Sequence, residues 1–202
     1  MSLASDTYTT IEQPSEGIFR DKGSRFIAYA FPIQEEEEWK NILEQVKSQH
    51  PKARHHCWAY RLGPEEEVFR VNDDGEPSGT AGRPIYNTLK SYEITDVMVV
   101  VVRYFGGTLL GVPGLINAYK TATVECLEQA TIVERIISSR FQIRYDYPQM
   151  NDVMQLIKQN DWDIVYQDFA LDCELRVEVR KKEEDKFISL LEQMHPVKYK
   201  KM

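Results

Sequence analysis

A run of six apolar residues, five of them valine, covers 97–102 and ends at Arg103. A continuous run rich in β-branched residues predicts a strand covered on both faces, because a half-exposed strand alternates apolar and polar positions. Four glycines follow within nine residues, and residues 115–130 then have a helical pattern. These glycines are Gly106, Gly107, Gly111 and Gly114. The pattern therefore predicts a strand, a glycine-rich loop and a helix in succession.

The first part of the chain contains further strand and helix patterns. Strands are predicted at 24–31, 55–62 and 67–71, and helices at 35–48 and from Pro84 onward. In the strand at 55–62, apolar and aromatic side chains follow the two-residue period of a sheet. A turn at 63–66 predicts a hairpin between the second and third of these strands. Residues 72–84 form a loop longer than most in compact domains, and such loops are often functional.

A second series of strand and helix patterns begins after Glu134. Strands are predicted at 136–145, 163–169, 171–180 and 197–200, and helices at 148–159 and 183–194. This βαββαβ order is typical of a ferredoxin-like domain. We therefore expect an α+β protein with a flexible tail over residues 1–16, an N-terminal domain over 17–134 and a C-terminal domain over 135–202.

Composition excludes several classes of protein. The chain has 202 residues, of which 42% are hydrophobic, and a net charge of −7. That charge argues against a uniformly basic nucleic-acid-binding surface, although a local cationic patch is compatible with it. The three cysteines are odd in number and widely spaced, which indicates reduced thiols in the cytoplasm. No apolar run is long enough to span a membrane, so no membrane association is expected.

The strand, glycine loop and helix have the geometry of an anion site. Glycines allow backbone N–H groups to face a ligand, and the start of a helix carries unpaired donors and a positive dipole. The glycine spacing matches neither the dinucleotide-binding fingerprint nor the phosphate-binding P-loop. The alternative is that the glycines allow a tight connection and close packing of the helix on the strand.

The polar residues before this loop give weaker signals. Asp73, Asp74 and Glu76 lack the calcium-loop pattern and are expected to form turns. Ser78 and Thr80 have no activating base in their own segment. His56 and Cys57 are adjacent on a predicted strand and therefore face opposite sides of the sheet, which argues against a joint metal or nucleophile site.

Two motifs together closely resemble the YigZ/IMPACT family. They are Asp73-Asp74-Gly75-Glu76-Pro77-Ser78-Gly79-Thr80-Ala81-Gly82-Arg83-Pro84 and Val99-Val100-Val101-Val102-Arg103-Tyr104-Phe105-Gly106-Gly107. The resemblance extends over 17–134, and 138–200 resembles the family's smaller bacterial C-terminal domain. It implies an N-terminal fold like the second domain of the fifth small-subunit ribosomal protein. It also implies that the C-terminal domain is like the last domain of elongation factor G.

The resemblance implies a role in translation. Bacterial members carry no established enzymatic activity, and eukaryotic relatives regulate translation through a starvation-responsive kinase pathway. The residues favoured for contact with an anion or RNA are Arg83, Arg103, Gly106, Gly107, Gly111 and Lys120. Secondary candidates are His56, Asp73, Asp74, Glu76, Ser78 and Thr80.

Three departures from the family pattern weaken the anion interpretation. Thr108-Leu109-Leu110 stands where the family often has isoleucine, lysine and leucine, and Asn117 stands where an arginine is common. Val112-Pro113-Gly114 replaces a usual alanine-glycine-glycine, and a proline has no N–H to donate. The loop thus lacks two positive charges and one backbone donor.

Three functions remain open from the sequence. The favoured one is a non-enzymatic, translation-associated regulatory factor that contacts RNA or a ribosome-associated protein. The second is an enzyme acting on a small phosphorylated or carboxylated metabolite, and the third is a protein-interaction module. We expect no catalytic residue, metal, cofactor or DNA partner.

Overall fold

The computed structural model describes residues 6–64, 68–169 and 172–202. The chain forms two compact units, one over Tyr8–Arg135 and one over Ile136–Met202 together with Asp6 and Thr7. Both units combine helices with antiparallel strands. This confirms the predicted α+β class with two domains. Within the described residues, no helix is both long and apolar enough to cross a membrane.

The N-terminal unit is built on a five-stranded antiparallel sheet. The strands from the start of the chain to the end of this unit, including two outside that sheet, are β1 (Thr7–Ile11), β2 (Ser15–Asp21), β3 (Ser24–Pro32), β4 (His55–Leu62), β5 (Val68–Asn72), β6 (Val97–Tyr104) and β7 (Ile132–Ile136). Its helices are α1 (Glu38–Gln49), α2 (Gly82–Ser91) and α3 (Gly111–Glu128). The sheet order is β2-β3-β6-β4-β5, and β1 pairs with β7 separately.

Strand β6 lies at the centre of the sheet and is covered on both faces, as its apolar run predicts. Val97, Val99 and Val101 pack in the cluster that contains Leu115 and Tyr119 of α3. The alternate residues of β6 pack in a second cluster that contains Val46 of α1. Each fully buried side chain of this size contributes about 1.5–3 kcal/mol. The double burial makes β6 the main packing element of the unit.

The beginning of the chain departs from the predicted tail. Residues 1–5 lie outside the described residues, but Thr7–Ile11 is a strand whose last side chain, Ile11, is fully buried. The residues of β1 are rich in threonine, which suits a pleated backbone. Its carbonyl at Thr9 also accepts a hydrogen bond from Thr95 N at 2.9 Å. The predicted tail was therefore wrong for this segment.

Both helices that follow the loops begin earlier than predicted. Helix α3 begins at Gly111 rather than at residue 115, so Gly111 and Gly114 belong to the helix. Pro113 is compatible with this because the first turn of a helix needs no N–H donor there. Helix α2 begins at Gly82, two residues before Pro84. Pro84 therefore also lies in a first turn, where no N–H donor is needed. The glycine loop is thus confined to 105–110.

The C-terminal unit has the ferredoxin-like arrangement that its pattern predicts. Its elements are β8 (Ser138–Asp146), α4 (Met150–Gln159), β9 (Asp163–Phe169), β10 (Asp172–Arg180), α5 (Glu184–Glu192) and β11 (Lys198–Lys201). The sheet order is β11-β8-β10-β9, and all neighbouring strands are antiparallel. Phe141, Leu175 and Phe187 lie at the centre of its core.

The hairpin predicted between β4 and β5 is confirmed by their antiparallel pairing. Part of its turn, at 65–67, lies outside the described residues. Residues 132–136 form the separate strand β7, so the strand predicted from residue 136 begins instead at Ser138.

Candidate functional site

The loop between β5 and α2 is closed by the side chain of Asp73. Its carboxylate accepts hydrogen bonds from the backbone N–H groups of Gly79, Ala81 and Gly82 at 2.8, 3.0 and 2.8 Å. Two of these donors lie at the start of α2, where helix N–H groups have no partner within the helix. Asp73 therefore holds the loop against the helix as a capping residue does.

Asp74 ties the same loop to β4. Its carboxylate accepts a hydrogen bond from the backbone N–H of His56 at 2.6 Å. Its backbone carbonyl accepts one from Nδ1 of His55 at 2.8 Å. Asp74 has a φ of 40°, a left-handed conformation that an aspartate tolerates better than most residues. Asp74 thus acts as a structural turn residue.

Glu76 and Arg103 form a buried ion pair beneath the loop. Nη1 of Arg103 donates to Oε1 of Glu76 at 2.6 Å, and the Tyr119 hydroxyl donates to the same oxygen at 2.8 Å. Arg103 is only 5% exposed and Glu76 only 9%. This corrects the expectation that Arg103 offers a surface charge to an anion, since its charge is already matched inside the protein.

Cys57 completes this buried network on the opposite face of β4 from the side chain of His56. Its Sγ lies 3.2 Å from the Tyr119 hydroxyl oxygen and 3.0 Å from the carbonyl oxygen of Asp73. Burial raises the pKa of the Cys57 thiol and also the pKa of Tyr119. A thiol that stays protonated is a poor nucleophile, so Cys57 is a packing residue.

The two glycines after β6 have different structural roles: Gly106 packs closely against the β2–β3 turn, and Gly107 adopts a turn conformation. A Cβ on Gly106 would lie 1.9 Å from the backbone carbon of Gly23 in the β2–β3 turn. Gly106 also donates its N–H to Ser24 Oγ at 3.2 Å. Gly107 has a φ of 89° with open space around it, and Gly111 has a φ of 70° at the start of α3. Gly106, Gly107 and Gly111 are all at the surface.

Two of the predicted cations meet at a groove between α2 and α3. Arg83 and Lys120 are both exposed and line a groove of about 360 Å³ together with Gly79, Asn87 and Ile116. The Arg83 guanidinium carbon lies 5.6 Å from the ring centroids of Phe69 and Tyr86. We call this the α2–α3 groove.

The hydroxyls of the loop differ in accessibility. Ser78 is exposed and directly precedes Gly79 of the α2–α3 groove. Thr80 is buried, and its hydroxyl donates to the carbonyl of Pro77 at 2.6 Å. Within residues 6–64, 68–169 and 172–202, no three histidine, cysteine or acidic side chains are grouped so that they could hold a metal ion.

Sequence reasoning missed Tyr119, whose hydroxyl joins Glu76 to Cys57. The helical spacing of Leu115, Tyr119, Ala122 and Cys126 indicates that Tyr119 faces the core. The spacing gives no information on the partner of the hydroxyl, because Glu76 lies 43 positions away in the chain.

We expect the N-terminal unit to lose stability in mild acid through His56. Burial lowers the pKa of His56 from its usual 6.5, and Asp74 opposes this only in part. The unfolded chain therefore binds a proton more readily than the folded one, so the unfolding free energy falls as the pH falls below about 6.5. Urea unfolding from about pH 8 to pH 5 measures this.

His56→Gln removes one of the two histidines of this unit whose pKa burial lowers, His50 being the other, and should reduce the slope by up to about 1.4 kcal/mol per pH unit. His195→Gln, at an exposed position of the other unit, is the control. An unchanged slope in His56→Gln would mean that another group causes the loss of stability.

Comparison with known proteins identifies relatives of both units. Residues 22–127 match the Impact N-terminal domain, and 143–194 match a domain of unknown function, DUF1949. IMPACT family member YvyE of Bacillus subtilis is 33% identical over 181 residues, which cover 90% of this chain and 83% of YvyE. IMPACT family member YigZ of Escherichia coli is 35% identical over 158 residues, which cover 77% of this chain and 78% of YigZ.

One solved structure, described as the crystal structure of a hypothetical protein, superposes with a TM-score of 0.73 at 29% identity. The alignment covers 96% of this chain and 97% of that one. The similarity thus includes nearly the whole length of both chains.

Proposed function

The chain belongs to the IMPACT family, and from that premise we propose that it is a non-enzymatic, translation-associated factor of the cytoplasm. It contacts RNA through the α2–α3 groove of its N-terminal unit. The observation that carries this proposal is the convergence of Arg83 and Lys120, from two separate helices, on one exposed groove. The link to translation rests on the family resemblance alone.

The chemistry of the groove suits a nucleic-acid backbone. Arginine and lysine side chains supply most phosphate contacts in such interfaces, the arginine as a planar fork and the lysine as a point charge. Cation–π contacts with Phe69 and Tyr86 favour the position of the Arg83 guanidinium group beside the groove. Ile116, which is 39% exposed, lines the groove with both cations, and Phe69, which is 42% exposed, lies beside Arg83, so apolar surface for an unstacked base is present. This local patch is compatible with the acidic chain as a whole.

The carboxylates of the neighbouring loop support a non-enzymatic role. Asp73 caps α2, Asp74 holds β4, and Glu76 neutralises Arg103. Each of these three carboxylates, which an enzyme could use as an acid or a base, is engaged in a structural contact instead. The loop therefore acts as a scaffold that positions Gly79 and Arg83 at the groove.

The Arg83→Ala/Lys120→Ala double variant tests the proposal. We expect its affinity for ribosomes and for a structured RNA to fall about tenfold or more, because two phosphate contacts are lost. The slope of log affinity against log salt should also become shallower by about 1.4–1.8. Binding measured from about 50 to 200 mM salt gives both quantities.

The matched control is Lys40→Ala/Lys47→Ala, which removes two exposed charges from α1. Equal binding and equal slopes in the two double variants would rule out RNA contact through the groove. Recovery of a protein partner after nuclease treatment would instead favour a protein-interaction module. Stabilisation of the protein by a phosphorylated or carboxylated metabolite that is lost in the Arg83→Ala/Lys120→Ala variant would favour the enzyme hypothesis.

A further inference from the structure

Two arginines face each other at the end of the β2–β3 hairpin. Arg20 and Arg25 are directly paired across the strands, and Asp21 pairs with Ser24 beside the turn. The turn itself consists of Lys22 and Gly23, with φ values of 44° and 80°. Like charges directly opposite each other in a sheet are destabilising. The hairpin therefore places three cations within a few residues at a cost to its own stability.

These cations are not neutralised by neighbouring carboxylates. In the part of the chain that the structure describes, no salt bridge is formed by Arg20, Lys22 or Arg25. All three are exposed and line a groove of about 470 Å³ with Tyr104. One carboxylate, Asp21, lines the same groove. The lining is thus positively charged.

Tyr104 forms an ordered wall of this groove. Its hydroxyl lies 2.9 Å from Nδ1 of His50, and Nε2 of His50 lies 2.8 Å from the hydroxyl of Tyr29. Burial lowers the pKa of His50, so the neutral ring donates to one phenol and accepts from the other. The Arg25 guanidinium carbon lies 4.7 Å from the Tyr104 ring centroid. The Tyr104 ring therefore provides a cation–π contact for Arg25, which pairs across the strands with Arg20.

The geometry points to a phosphate-binding site at the β2–β3 turn, formed by Arg20, Lys22 and Arg25 against Tyr104. Two guanidinium groups supply paired N–H donors to phosphate oxygens, and the lysine supplies a third positive charge. A bound dianion would also relieve the repulsion between the two arginines. The site shares no residue with the α2–α3 groove. Its ligand is a phosphate group, either of a small monoester or of a nucleic-acid backbone.

Thermal unfolding and titration calorimetry of the full chain test the site with inorganic phosphate, AMP and an oligouridylate without terminal phosphate. We expect phosphate to raise the melting temperature more than chloride does at equal ionic strength. Arg20→Thr and Arg25→Thr should each weaken phosphate binding about tenfold, because a charged hydrogen-bond pair is lost. Arg140→Thr, at an exposed strand position of the other unit, should leave it unchanged.

The arginine variants give a second readout that separates binding from folding. In low-salt buffer without phosphate, Arg20→Thr should melt at or above the wild-type temperature, because threonine suits a strand and the like-charge pair is removed. A lower melting temperature in that buffer would overturn the proposal, as would phosphate affinity equal to that of the wild type.

The three probes identify the source of the phosphate. Tighter binding of AMP than of oligouridylate would support a monoester site, and the reverse order would support a nucleic-acid backbone. Binding of none of the three above the level seen with chloride would overturn the proposal. The Arg83→Ala/Lys120→Ala variant should keep its phosphate affinity, so the two proposals can fail separately.

Discussion

Replacing Glu76 by alanine is expected to lower the unfolding free energy of the N-terminal unit by about 3–5 kcal/mol, because a buried guanidinium then loses its partner. Arg103 is 5% exposed, and its contact with Glu76 is 2.6 Å long. The Tyr119 hydroxyl loses its acceptor in the same variant. Urea unfolding followed by tryptophan fluorescence measures the change.

An exposed ion pair of the other unit provides the matched control. Arg140 is 64% exposed in its side chain and lies 3.4 Å from Glu178. Glu178→Ala should cost at most about 1 kcal/mol, since surface pairs contribute little. The Glu76→Met/Arg103→Met double variant should regain most of the lost stability, because it leaves no buried charge. A cost for Glu76→Ala as small as that for Glu178→Ala would show that water reaches Arg103.

The contrast between β6 and β2 explains which parts of the fold were predictable. Strand β6 has six apolar residues in succession, so its local sequence predicts burial on both faces. Strand β2 contains Gly17 and charged residues, and it is a strand because it pairs along its length with β3. A local pattern contains no information on such pairing. For that reason β1 and β2 were not predicted, whereas the whole βαββαβ order of the second unit was.

Arg103 shows what the sequence could have revealed about the site. Side chains alternate along a strand, so Arg103 shares a face with Val99 and Val101. Since both valines lie in the buried run, Arg103 continues a buried face and needs an internal partner. The partner itself, Glu76, lies in an irregular loop. No periodicity in that loop indicates whether the Glu76 side chain points into the core or towards solvent. Both members of the ion pair were therefore selected as candidates, but for surface roles that they do not have.

Arg83 and Lys120, unlike Arg103 and Glu76, are exposed in the structure and line one groove. Each was selected separately, and nothing in the sequence brings them together, because they lie on different helices 37 positions apart. Their meeting depends on how α2 and α3 pack on one face of the sheet. A groove formed by two helices is a tertiary feature, and a single sequence indicates only its members.

Gly106→Ala is expected to cost about 1–3 kcal/mol, because the new methyl group overlaps the backbone of the β2–β3 turn and forces it to shift. It would lie 1.9 Å from the carbonyl carbon of Gly23 and 2.2 Å from Ser24 N. The loop after β6 must then separate from the β2–β3 turn. Urea unfolding measures the loss, and phosphate titration should show weaker binding because that turn carries Lys22.

Gly107→Ala is the matched variant for this comparison. A Cβ at Gly107 meets nothing within 4 Å, but its φ of 89° disfavours any side chain. It should cost about 1–2 kcal/mol through backbone strain alone and leave the β2–β3 turn in place. Phosphate binding should therefore be weakened in Gly106→Ala and unchanged in Gly107→Ala, even where the two variants have similar unfolding free energies. If both retained full phosphate affinity, contact between Gly106 and Gly23 would have no part in forming the cationic groove.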